Sequence, residues 1–247
     1  MATTVNPITP KKYVVELRYE AKLSFYPAMD PMGEELAREF PGWERSPLTL
    51  ELRSPKEHRR LFLSHLRTFF EQDAIRDLDQ VEDRAKTYLE KVARHFSFND
   101  FQRIGNRYWF IHSVDKTFPA LTETLFDKLF SANNSFRGLF PGIKSDIGYV
   151  AYFEHPDGWK YNVRIGPMRR SEWFEKVIHE PDIFNSIDVQ DGLTLDAYRQ
   201  SFPEQFIYFD IDCYKQQVTK DDVAALLSGW RRFATTAAGA LFAYCGE

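Results

Sequence analysis

Two hydrophobic periods take turns along this chain, and their order runs through twice. Tyr13, Val15, Leu17 and Tyr19 fall on one side of an alternating run, with Glu16, Arg18 and Glu20 on the other, which predicts a half-buried strand over 12–25. A short helix follows over 29–40, with Asp30 placed to cap it and Pro31 just inside its first turn. Thr49, Leu50, Glu51 and Leu52 restart a strand. The stretch 57–72 fits both periods: Phe62, Leu66, Phe69 and Phe70 sit at helical spacing, while Leu61, Leu63 and the run Leu66, Thr68, Phe70 alternate. Strands are preferred there because the second half carries a hairpin at the equivalent place. Residues 75–96 form a clearer helix, striped by Ile75, Leu78, Ala85, Tyr88, Leu89, Val92 and Phe96. Glu82 with Lys86 and Glu90 with Arg94 are i,i+4 pairs that predict a solvated face.

The second pass opens with a strand near 100–113 and a helix over 118–131, started by Thr117 and Pro119. A loop rich in Asn, Gly and Pro fills 132–145. Ile147, Tyr149, Ala151 and Phe153 then alternate, Pro156-Asp157-Gly158 turns the chain, and Trp159, Tyr161, Val163 and Ile165 alternate back, which is a hairpin. Residues 170–204 are irregular, with a helical turn at 172–179. A central-looking strand spans 205–214, and Thr219 with Asp222 begins a last helix striped by Val223, Leu226, Leu227, Trp230, Ala234 and Leu241. The expected fold class is therefore α+β: antiparallel sheets packed against helices, from a tandem β-α-β-β-α pseudo-repeat. A flexible tail over 1–11 precedes halves at 12–97 and 98–247, which can also join as one continuous domain.

Composition narrows the function classes. The 247 residues are 43% hydrophobic and 16% aromatic, enough to build a core without disulfide or metal. The formal net charge of -4 argues against non-specific binding to nucleic acid or to an anionic membrane. Cys213 and Cys245 match no zinc or redox spacing, and no apolar leader or spanning run stands out, so a cytoplasmic location is expected with no membrane partner. There is no Walker-type loop, no Gly-x-Gly-x-x-Gly, no Gly-x-Ser-x-Gly and no His-x-x-x-His. No catalytic residue, cofactor or metal is assigned.

Three constellations carry what chemistry there is. Asp210 and Asp212 share a strand face, a spacing that can hold Mg²⁺ if Asp146 or Glu154 adds a third ligand. The competing reading pairs them with Arg103 and Arg107, which share a face of another strand, and this structural ion-pair reading is preferred. His58, Arg59, Arg60, His65 and Arg67 interleave with Phe62 and Phe69, and Arg164, Arg169 and Arg170 join Lys160 in a second basic patch. Such mixtures bind single-stranded nucleic acid or an acidic protein partner, and the acidic balance of the chain favours the protein. Trp159, Tyr161, Tyr149 and Tyr152 concentrate aromatics on the hairpin as protein-binding candidates.

The segments Tyr13-Val14-Val15-Glu16-Leu17-Arg18-Tyr19, Phe101-Gln102-Arg103-Ile104-Gly105-Asn106-Arg107-Tyr108 and Phe209-Asp210-Ile211-Asp212-Cys213-Tyr214, followed by an aromatic-rich end at Leu241-Phe242-Ala243-Tyr244, resemble the TIGR04255 family of sporadically distributed bacterial proteins. The basic stretch 56–67 and the segment 170–204 depart from that pattern. The family has no assigned activity, so the resemblance implies fold and size and carries over no catalytic residue. Its patchy distribution implies a mobile accessory system such as antiviral defence. The expected function is a non-catalytic, protein-binding regulatory or accessory subunit. The alternatives are a metal-dependent phosphodiester or nucleotide enzyme on Asp210 and Asp212, and a single-stranded nucleic-acid binder through 58–67.

Overall fold

The first alternating segment folds as β1 (Lys12–Arg18). The computed structural model, which describes residues 8–130, 146–177 and 195–246, places it near the middle of a nine-stranded sheet in which every pairing is antiparallel. The first half continues with α1 (Phe25–Leu36), β2 (Gly42–Arg45), β3 (Thr49–Ser54), β4 (Arg59–Ser64), β5 (Arg67–Asp73) and α2 (Leu78–His95). The second half runs β6 (Asp100–Ser113), α3 (Phe118–Phe130), β7 (Tyr149–Glu154), β8 (Lys160–Arg169), α4 (Arg170–Lys176), α5 (Leu195–Gln200), β9 (Gln205–Thr219) and α6 (Val223–Gly246). The architecture is α+β.

Strand order across the sheet is β2-β3-β4-β5-β1-β6-β9-β8-β7. In each half the opening strand lies innermost and pairs with the closing strand of that half, β1 with β5 and β6 with β9. The middle strands fan outward, and a long helix ends each half. β1 and β6 pair with each other, so an approximate two-fold in connectivity passes between them. The repeat is thus β-α-β-β-β-α, one strand longer than the sequence pattern suggests, with β2 as a further edge strand. Both halves contribute to one continuous sheet rather than to separate sheets.

Alternation sends Tyr13, Val15, Leu17, Leu61, Leu63, Phe70, Ile104, Tyr108, Ile207, Phe209 and Ile211 to one face, where α1, α2, α3 and α6 cover them in a single core. α1 begins at Phe25, four residues before the expected start, and Pro31 lies inside it. Phe25, Met29, Met32 and Leu36 are all 0% exposed. Burying such a side chain contributes about 1.5–3 kcal/mol, so the four together outweigh the roughly 3 kcal/mol cost of an interior proline. The ambiguous stretch 57–72 is the β4–β5 hairpin, with Leu61 opposite Phe70 and Phe62 stacked on Phe69 at 5.0 Å. The first strand stops at Arg18, and residues 8–11 are held rather than loose. The Lys11 amide donates to the Trp109 carbonyl at 2.7 Å, Pro10 is buried, and Ile8 packs on the core.

The solvated face expected on α2 is corrected at one position. Glu82 is buried: it accepts from the Tyr108 hydroxyl at 2.8 Å and pairs with Arg231 of α6 at 3.3 Å. Lys86 reaches Asp83 instead, and Arg94 pairs with Glu35 of α1. Thr219 donates to the Asp222 side chain at 2.7 Å across a 3₁₀ turn that leads into α6. The loop expected at 132–145 and the middle of the irregular segment 170–204 lie outside the described residues. The ends of that segment form α4 and α5 on the opposite side of the sheet. There Trp173, Tyr198 and Phe202 pack on Trp109, Met168 and Phe206 as a second, smaller core.

Candidate functional site

Away from α4 and α5, the second face of the sheet carries no helix among the described residues. Register fixes what stands on it. Arg18 lies between Arg67 and Arg103, Glu16 between Phe69 and Gly105, and Val14 between Glu71 and Arg107. Arg107 is opposite Asp212, Trp109 opposite Asp210, and Asp210 opposite Arg164. Arg60 and Phe62 of β4 extend the same face toward β3. A cleft of about 610 Å³ opens here, lined by Lys12, Glu16, Arg67, Phe69, Arg107, Trp109, Arg164, Lys176, Tyr208 and Asp210.

The guanidiniums lie on aromatic rings. Arg107 sits 4.2 Å from the Trp109 ring centre, Arg103 4.5 Å from Tyr214, Arg60 4.9 Å from Phe69, and Arg67 5.5 Å from Phe62. Carboxylates link them. Arg107 donates through Nε and Nη2 to the two oxygens of buried Asp210, at 2.8 and 2.6 Å, a bidentate fork. Arg103 reaches Asp212 and Glu16, each at 3.4 Å. Burial raises the Asp212 pKa, against the pull of Arg103 and Arg107. Glu71 accepts from Lys12 and, at 3.1 Å, from Arg60. Burial opposes its ionisation, yet these two cations hold it below the usual carboxylate range. Lys12 also lies 3.6 Å from Asp73 and donates to the Val177 carbonyl at 3.1 Å. Asp73 is fully buried, and burial pushes its carboxyl up to about 7.

The structure brings Arg103, Arg107, Asp210 and Asp212 together on this face, where Arg60, Arg67 and Arg164 of the basic patches join them, and disperses the remaining candidates. Trp159 is buried beneath α6, 5.1 Å from Phe233 and 6.1 Å from Trp230. Tyr161 lies 4.8 Å from Phe233 on the same helix-covered face, and Tyr149 shares that face half-buried. Tyr152 points to the open side and is 74% exposed. Alternation splits the basic stretch in the same way. His58 is buried and its pKa is lowered to about 4 by burial and Arg76. Arg59 is buried on the helix side, paired with Glu57 at 2.8 Å and lying over Phe40. Arg60, Arg67 and Arg164 stand on the open face, whereas Arg169 covers Phe118 at 3.5 Å and Arg170 pairs with Glu204 at 3.1 Å beyond its end.

Among the described residues no three His, Cys, Asp or Glu side chains gather where a metal ion could be held. Asp146 accepts from the Ile147 amide, and Glu154 ends β7 at the sheet edge. Lys12, Glu16, Glu71, Asp73 and Trp109 escaped the sequence reading. Alternation already marked Glu16 as outward-facing, but the partners depend on which strands are neighbours. No described helix is long and apolar enough to cross a membrane. No protein-family model matches the chain, and no curated protein matches it significantly.

Proposed function

We propose that this protein is a non-catalytic binding subunit that docks a protein partner on the face of its sheet opposite α1, α2, α3 and α6. The observation that carries the reading is the set of four guanidiniums lying over Phe62, Phe69, Trp109 and Tyr214. Arginine and large aromatics dominate interface energetics. Side chains already held by stacking and ion pairs lose less freedom on binding. The resemblance to a sporadically distributed bacterial family supports a cytoplasmic regulatory or accessory role, antiviral defence included. A phosphodiester or nucleotide chemistry on Asp210 and Asp212 draws less support, because both oxygens of Asp210 are engaged by Arg107.

Size-exclusion chromatography with light scattering, run on the protein mixed with each product of its neighbouring genes, tests the proposal. A stoichiometric complex weakened at least about tenfold by Tyr214→Ala, a half-buried ring under Arg103, is the expected result. A protein that stays monomeric in every mixture overturns it.

A further inference from the structure

Positive charge on the open face exceeds what its carboxylates balance. Glu16 is shared by three guanidiniums: Arg18 at 2.6 Å, Arg103 at 3.4 Å and Arg67 at 3.6 Å. Asp210 is fully engaged by Arg107. Arg164, directly across from Asp210 on β8, is exposed and makes no ion pair among the described residues. Around Glu16, Asp210 and Asp212, five guanidiniums thus meet three carboxylates, while Lys12 and Arg60 share Glu71 farther along the same face, in a chain whose formal net charge is -4. The excess rests chiefly on Arg67, whose side chain is 48% exposed, and on Arg164. Beside Arg164, on edge strand β7, Val150 and Tyr152 turn to the same face, 50% and 74% exposed.

Resting on the reading of the protein as a binding subunit, we infer that the partner presents an acidic segment interspersed with apolar side chains. Its carboxylates meet Arg164 and Arg67, and its apolar groups cover Val150 and Tyr152. A guanidinium's planar fork fits a carboxylate in two-point contact. Charge complementarity of this kind steers encounter and selects partners. Nucleic acid is disfavoured because successive bases need several free ring faces on which to stack, and Phe69, Trp109 and Tyr214 are already covered by guanidiniums, which leaves Tyr152 as the exposed ring among those named on this face.

The test is fluorescence anisotropy with a labelled peptide of alternating Glu and Tyr, a Lys/Tyr counterpart and a labelled oligothymidylate. Binding of the Glu/Tyr peptide is expected, reduced by added salt and weakened about tenfold or more by Arg164→Glu or Arg67→Glu. Lys86→Glu, on the helix side, leaves it unchanged. Both reversed positions are exposed, so the melting temperature confirms folding, and Arg164→Gln and Arg67→Gln replace any variant that fails. Four results each overturn the inference: no binding of the Glu/Tyr peptide, equal binding of the Lys/Tyr peptide, tighter binding of the oligothymidylate, or indifference to the reversals. A neighbouring-gene complex that survives both reversals leaves the subunit reading standing and removes the inference alone. Absence of any complex removes both.

Discussion

Asp73 shows how far a single residue departs from its solution chemistry here. Unfolded, an aspartate ionises near pH 4. Folded, with its carboxyl out of water beside Glu71, it keeps its proton up to about 7, even though Lys12 lies nearby. The folded chain therefore binds more protons across that window, and stability falls as pH rises through it. Asp73→Asn removes this loss. Urea unfolding at about pH 5 and about pH 8 should show the wild type losing on the order of 1–3 kcal/mol relative to the variant; parallel curves would count against the burial argument. Asp210 contributes through a direct pair, with both oxygens engaged by Arg107. Asp210→Asn takes the charge from a bidentate pair with Arg107, and a loss of about 1–3 kcal/mol in urea unfolding is expected. Mg²⁺ should leave the wild-type midpoint unmoved if the pair is purely structural. The alternating runs identified Asp210 and Asp212 as neighbours on one face. Nothing in those runs revealed that Lys12 lies against Trp109, since β1 and β6 are far apart in sequence, whereas Trp109, two residues from Arg107 on β6, shares its face by the same alternation.

At the scale of elements, α2 separates what periodicity can say from what packing decides. Its stripe of Leu78, Val81, Ala85, Tyr88, Leu89 and Val92 is buried as the spacing demands. Glu82, beside that stripe, is 3% exposed and bridges Tyr108 of β6 to Arg231 of α6. A solvated i,i+4 pair contributes about 0.2–0.5 kcal/mol, whereas a buried charge removed from its partners costs several-fold more. Glu82→Ala is expected to destabilise by about 2–4 kcal/mol, and exposed Glu90→Ala by about 0.5 kcal/mol or less, both read from chemical denaturation. Equal costs would mean the bridge contributes nothing. The β7–β8 hairpin was legible because its turn residues and alternation agree. The β4–β5 hairpin was not settled by its own residues, and neighbours β3 and β1 decide it by pairing along its two edges. α1 gains its extra first turn because Phe25 fits the core, a fact no local propensity contains.

For the whole molecule, the decisive contact is the pairing of β1 with β6, which joins the two halves into one sheet under one helix layer. Separating the halves near residue 98 would expose a long unpaired edge on each innermost strand, and such edges aggregate. The intact chain is therefore expected to unfold in a single transition, with far-ultraviolet circular dichroism and tryptophan fluorescence coinciding; two separated transitions would show halves that stand alone. The residues by themselves determined the α+β class, most of the order of strands and helices, the near-duplication of that order, and which side chains share a face, because these follow from periods of 2 and 3.6 along a local stretch of backbone. Only the tertiary structure decided that a single sheet forms, that one of its faces carries only α4 and α5 among the described residues, and which arginine meets which carboxylate. Those depend on strand neighbours and register, and pairing free energy is shared between segments as distant in sequence as Asp100 and Thr219, beyond the reach of any local pattern.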